Sequence, residues 1–128
     1  MADSLDAYVS AWAEHTKLRG ADADSKLQAV LAMMAEDIEY TDTPSGHTFK
    51  GHDAVGHAFK HAISEVLDLT VKPIVWYTDG KRFTIEYETT IKSEGKELVA
   101  PTVAVGTIGP DGKITSHSDY YDRRALGL

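Results

Sequence analysis

At 128 residues the chain has the length of one domain, 1–128, and can bury a real core. Its 20 acidic against 13 basic side chains, a formal charge of −7, argue against nucleic acid or an anionic membrane as partner, since both require a basic surface. With no cysteine, disulfides, thiolate catalysis and cysteine-ligated metals are excluded.

Taken in chain order, residues 4–18 read as an amphipathic helix with Leu5, Val9, Trp12 and Thr16 on one stripe and Tyr8 and His15 on its flank. Gly20 is its stop. Ser25-x-x-Gln28 is a capping box that opens a second helix, striped by Leu27, Val30, Leu31 and Met34. Residues 38–42 alternate as a short strand with Ile38, Tyr40 and Asp42 on one face, and Thr43-Pro44-Ser45-Gly46 is a turn. A third helix is predicted over 53–67, with Val55, Phe59, Ala62, Ile63 and Val66 inward. From there the period becomes that of strands, over 69–77, 82–93, 97–108 and 113–122, joined by hairpin signals at Asp79-Gly80, Glu94-Gly95 and Pro110-Asp111-Gly112. Helices followed by strands predict an α+β domain with helices on one face of an antiparallel sheet. The N-terminus carries no basic and apolar leader, and no window approaches the roughly 20 apolar residues of a membrane span. A cytoplasmic location is the expectation.

The last strand concentrates the chemistry. Alternation puts His117, Asp119 and Tyr121 on one face and Ser116, Ser118, Tyr120 and Asp122 on the other. Either way, burial of this strand takes polar groups inside, which costs free energy unless they are paired or used. An imidazole beside a carboxylate is a natural acid/base pair, although a satisfied core histidine fits the same pattern. Asp119 could equally serve as an ion-pair partner of Arg123 or Arg124. Burial and a second carboxylate would push its carboxyl upward, and a protonated His117 would oppose them. On the strand at 82–93, Glu86 and Glu88 share a face with Thr84 and Thr90, opposite Phe83, Ile85, Tyr87 and Ile91. That alternation favours outward glutamates. His57 and His61 have the i, i+4 spacing of a metal pair but lie opposite the apolar face of their helix with no acid ligand beside them, so no metal is expected. No phosphate loop, dinucleotide fingerprint or nucleophilic serine motif is present, and no cofactor is expected.

Five segments together carry a family resemblance: Ala35-Glu36-Asp37, Tyr40-x-Asp42-x-Pro44, Lys50-Gly51-His52-Asp53-Ala54-Val55, Asp111-Gly112-Lys113-Ile114 and Asp119-Tyr120-Tyr121-Asp122. With their element order, the chain resembles the nuclear-transport-factor-2-like superfamily, and within it the SnoaL-like group, which includes polyketide cyclases, and limonene epoxide hydrolase. The resemblance implies a cone-shaped curved sheet wrapped around helices and enclosing an apolar pocket for a small hydrophobic or polycyclic molecule. It also implies a homodimer formed through the outer sheet face. It places Asp119 at one carboxylate of the hydrolase's catalytic dyad, Tyr40 and Asp42 where that enzyme holds its attacking water, and Glu88 at its second carboxylate. Glu86 falls where that enzyme has an arginine, which reverses the charge. The second, protonated acid of ketosteroid isomerase would fall near Val103, so that oxyanion acid is missing.

The expected function is cofactor-free acid/base chemistry of the SnoaL-like kind, namely cyclisation, isomerisation or dehydration. Asp119, His117, Asp42 and Tyr40 are the expected catalytic residues, and Trp12, His15, Tyr121 and Glu88 the expected pocket residues. The alternatives are an epoxide hydrolase with an altered dyad and a non-catalytic binding or assembly module.

Overall fold

The computed structural model describes residues 2–15, 23–60 and 68–128. Helix α1 spans Ala2–His15, α2 Ala23–Leu31 and α3 Gly51–Lys60. The strands are β1 Met34–Asp42, β2 His47–Lys50, β3 Asp68–Thr78, β4 Arg82–Ser93, β5 Lys96–Ile108 and β6 Ile114–Tyr120, and a 3₁₀ turn closes the chain at Arg123–Leu126. In α1, Leu5, Tyr8, Val9 and Trp12 recur at helical spacing and are all buried. The indole N–H of Trp76 donates to Asp6 Oδ1 at 2.7 Å and ties α1 to β3. The helix α2 begins two residues before the predicted capping box, with Asp24 in its first turn where a negative charge suits the helix dipole. Ser25 therefore lies inside the helix. Strand β1 starts at Met34 rather than residue 38, because Met34 pairs with Ile114 before a register shift brings Glu39 opposite Ser116. The predicted stop at Gly20 and the second half of the third helix, 61–67, fall outside the described residues.

The sheet order is β2-β1-β6-β5-β4-β3. Every neighbouring pair is antiparallel except β1 and β6, which run parallel. The expected all-antiparallel sheet is thus a mixed one. Hairpins force antiparallel partners, but β1 and β6 are separated by α3 and four strands, and nothing local fixes their direction.

The register sets the two faces. One row across the sheet runs Phe83, Gly106, His117, Tyr40, and the next runs Ile85, Ala104, Asp119, Asp42. These rows face the helices, and Phe83, Ile85, Ala104, His117 and Asp119 are all buried. The alternate rows, Val75-Glu86-Val103-Tyr120 and Tyr77-Thr84-Val105-Ser118, form the outer face. The main core joins α1, α2 and α3 to the inner rows. A smaller cluster of Ile91, Ala100 and Leu126 seals the far end under the 3₁₀ turn.

Strand β5 is the thin place in the inner face. Gly106 and Ala104 carry almost no side chain, so aromatic rings from β4 can lie across it toward β6. A Cβ at Gly106 would sit 2.4 Å from the Phe83 ring and 2.1 Å from the Ser116 carbonyl oxygen. Phe83 uses that space to reach the His117 ring, with centroids 5.8 Å apart.

Candidate active site

Four strand and helix positions converge on one carboxylate. Asp119 is 5% exposed. Its Oδ1 accepts from the Tyr87 hydroxyl at 2.5 Å and from His117 Nε2 at 2.9 Å. Its Oδ2 accepts from the Tyr40 hydroxyl. On the far side of the imidazole, His117 Nδ1 lies 2.7 Å from the Tyr8 hydroxyl. An ionised carboxylate only accepts, so Nε2 carries a hydrogen, and Nδ1 shares the second bond with the Tyr8 hydroxyl. A continuous chain of hydrogen bonds therefore runs from α1 through β6 to β1 and β4.

The walls around this chain are aromatic. The Trp12 indole lies over the His117 ring with centroids 4.2 Å apart, and Phe59 meets Tyr40 edge-on at 4.8 Å. These rings pack against the imidazole and the phenol and hold them in place. Burial alone would raise the Asp119 pKa. The neighbouring His117, together with hydrogen bonds from His117, Tyr40 and Tyr87, outweighs it and holds the carboxyl below the usual aspartate value. The upward push anticipated from burial is thus overturned by three donors. The phenols move the other way. Burial first, and then the Asp119 charge, push Tyr8, Tyr40 and Tyr87 well above an ordinary phenol. All three stay protonated and can only be hydrogen-bond donors or neutral acceptors near neutral pH.

Asp42 stands beside Asp119 in the parallel register of β1 and β6. Its Oδ2 accepts from Ser45 Oγ at 2.9 Å, and its carbonyl accepts from Gly46 N at 2.9 Å, so it also builds the turn. The half-buried Tyr121 phenol is pushed up by its own burial first, then by Asp42 and Asp119. Asp42, Tyr40 and Tyr121 form the half-exposed border of the cluster, while His117 and Asp119 lie beneath it.

Of the residues expected from sequence, His117, Asp119, Tyr40, Asp42, Trp12 and Tyr121 come together here. Glu88 does not. It lies on the face of β4 opposite Tyr87, paired across the sheet with Lys72 and Pro101. Strand alternation turns a side chain away from its neighbour's face, so Glu88 is corrected from a pocket residue to an outer-face residue. The His15 side chain falls outside the described residues. Tyr87 reads in the sequence only as one of four large apolar-face residues. The signal that could have marked it is its hydroxyl, which a buried position obliges to find a partner.

A six-stranded mixed sheet with three helices against its inner face, among the described residues, is the nuclear-transport-factor-2-like fold. The chain belongs to the SnoaL-like domain family, whose model matches residues 5–117. Solved structures agree in fold. A protein of ketosteroid isomerase-like fold from Catenulispora acidiphila, in complex with trimethylamine, is 22% identical with a TM-score of 0.76, covering 93% of this chain and 88% of that one. The epoxide hydrolase/cyclase-like enzyme SalBIII, of pyran ring formation in the polyether salinomycin, is 16% identical with a TM-score of 0.75, covering 96% and 93%. An epoxide hydrolase of M. tuberculosis resembling limonene epoxide hydrolase is 16% identical with a TM-score of 0.71, covering 98% and 84%. The sequence matches none of the curated proteins with which it was compared.

Proposed function

We propose that this chain is a cofactor-free acid/base enzyme acting on a small, largely hydrophobic molecule, with Asp119 as the group that exchanges the proton. The observation that carries the reading is the buried, ionised carboxylate held by Tyr40, Tyr87 and His117 from three different strands. Arg123 and Arg124, the basic residues next in the chain, are exposed, so Asp119 is held by an imidazole and two phenols rather than by an arginine. A carboxylate held ionised can take a proton at neutral pH without first losing its own. Tyr40 then has a second use. Once Asp119 is protonated it attracts the phenol less, and the Tyr40 hydroxyl can turn to a developing oxyanion on the ligand. Asp42 and Tyr121 border the same place and would orient the ligand. The cyclase-like enzyme among the structural neighbours supports this class of chemistry by analogy of fold. The epoxide hydrolase reading puts its second carboxylate at Glu88, which lies on the outer face; the acid beside Asp119 is Asp42, whose Oδ2 is engaged by Ser45 in the turn.

The test is deuterium exchange into a panel of bicyclic ketones such as 2-tetralone in D₂O, followed by NMR. The wild-type protein is expected to accelerate loss of the α-proton signal. Asp119→Asn should reduce that rate by about 100-fold or more. The variant should also melt lower, because an amide has one acceptor oxygen for three donors, an imbalance that costs about 1–3 kcal/mol. A variant that melts lower but exchanges protons at the wild-type rate would move the protein to the class of non-catalytic binding modules.

A further inference from the structure

We infer that Tyr87 is a positioning residue which, together with His117, occupies Oδ1 of Asp119 and leaves Oδ2, the oxygen shared with Tyr40, as the atom that meets a ligand's proton. This rests on the acid/base reading of Asp119 and adds a division of labour between its two oxygens.

A carboxylate oxygen has two in-plane lone pairs. On Oδ1 both are taken, by the Tyr87 hydroxyl at 2.5 Å and by His117 Nε2 at 2.9 Å. Neither donor has room to leave. Tyr87 is 3% exposed and packs in the main core with Ile85 and Phe83, while His117 is fully buried. The imidazole is held from behind by the Tyr8 hydroxyl and covered by the Trp12 ring. Oδ2 takes one donor, Tyr40, which is half-buried and borders Asp42 and Tyr121. Among the described residues, one lone pair of the carboxylate is therefore left, on the oxygen that also accepts from Tyr40. On β5, Thr102 lies opposite Tyr87 and Ala104 lies between Ile85 and Asp119, so the Tyr87 side chain reaches Asp119 diagonally across β5.

The proton step balances within these atoms. A ligand C–H or O–H gives its proton to Oδ2, and the bonding electron pair stays on the ligand. Asp119 becomes neutral while Tyr87 and His117 go on donating to Oδ1. Asp119 then returns a proton to the ligand, either the one it took or, after exchange, one from solvent, so nothing is oxidised or reduced. The titratable groups facing Asp119 are Tyr8 from α1, Tyr40 and Asp42 from β1, Tyr87 from β4, His117 from β6 and Tyr121 just beyond it. Removing one donor from Oδ1 leaves the carboxylate less well satisfied, so its protonation becomes easier.

Tyr87→Phe tests this, because it keeps the ring and its packing and removes only the hydroxyl. Two measurements are made on the whole chain. The Asp119 carboxyl carbon is titrated by NMR, and the pH profile of 2-tetralone exchange is recorded. The expected result is a titration midpoint about one unit higher than in the wild type, an acid limb of the rate profile displaced by the same amount, and a half-saturating 2-tetralone concentration unchanged within about twofold. Tyr40→Phe, which acts on Oδ2, is expected to change the half-saturating concentration as well. An unshifted midpoint in Tyr87→Phe overturns the proposal, as does a shifted midpoint with an unshifted acid limb, the signature of a merely structural phenol. A wild-type protein that exchanges no proton, but whose midpoint still rises in Tyr87→Phe, overturns the acid/base function and leaves Tyr87's hold on Oδ1 standing.

Discussion

Three tyrosines show how a side chain's neighbours rewrite its chemistry. Tyr8, Tyr40 and Tyr87 are ordinary phenols in an unfolded chain, ionising near pH 10. In the fold Tyr8 and Tyr87 are buried and Tyr40 half-buried, and all three face the Asp119 charge, so each keeps its proton to a higher pH. A raised folded value contributes stability that is fully present below the unfolded value and is lost as pH rises through the folded one. Asp119 has the opposite sign. Its depressed value contributes stability above the ordinary aspartate range, which is lost as pH falls through the folded value. Melting temperature should therefore fall steeply above about pH 10, with tyrosinate absorbance at 295 nm appearing together with unfolding. Tyrosinate absorbance from all six tyrosines that titrates smoothly through the ordinary range, while the fold stays intact, would contradict the buried network.

At the scale of the element, the site depends on strand β5, which contributes no functional group to it. Gly106 and Ala104 make a shallow trough between the aromatic residues of β4 and the polar ones of β6. The nearest obstacle to a side chain at 106 is the Ser116 carbonyl, and backbone yields less readily than a flexible side chain. Gly106→Ala is expected to destabilise the protein by about 1–3 kcal/mol, displace Phe83 from His117 and weaken proton exchange. Chemical denaturation, with the exchange rate measured on the same sample, checks both. A stable Gly106→Ala protein with wild-type exchange would mean that β5 tolerates a wall there.

For the whole molecule, the outer sheet face matters most. The large apolar residues of β4, Phe83, Ile85, Tyr87 and Ile91, are all buried on the inner face. The exposed apolar residues lie elsewhere: Tyr77 at 63%, Tyr120 at 48% and Val99 at 45%, with Val103 and Val105 between them in the outer rows. We propose that two copies pair through this face, since an exposed patch of this kind marks an interface more often than bare surface. Sedimentation at micromolar concentration should give a dimer that Val103→Lys dissociates. A wild-type monomer would show that the face stays open. No helix among the described residues is long and apolar enough to cross a membrane.

The sequence by itself determined what depends on local period and punctuation. Four long strands joined by Gly-containing turns, the inward stripe of α1 and the shared face of His117 and Asp119 follow from side-chain spacing, and they stand within a residue or two of where the pattern put them. The family resemblance rested on five short segments and the order of the elements, and is met by the match over residues 5–117. Only the tertiary structure decided what depends on contacts between distant segments. The parallel pairing of β1 with β6 sets Tyr40 beside His117 and Asp42 beside Asp119, and no local signal records that direction. The upward shift expected for Asp119 came out downward for the same reason. Burial could be inferred from the strand, but its three donors lie 2, 32 and 79 residues away in the chain. Tyr87 shows this most clearly: its place on β4 marks it as core, and only the small residues of β5 and the register of β6 turn that core ring into a hydrogen-bond donor to the central carboxylate.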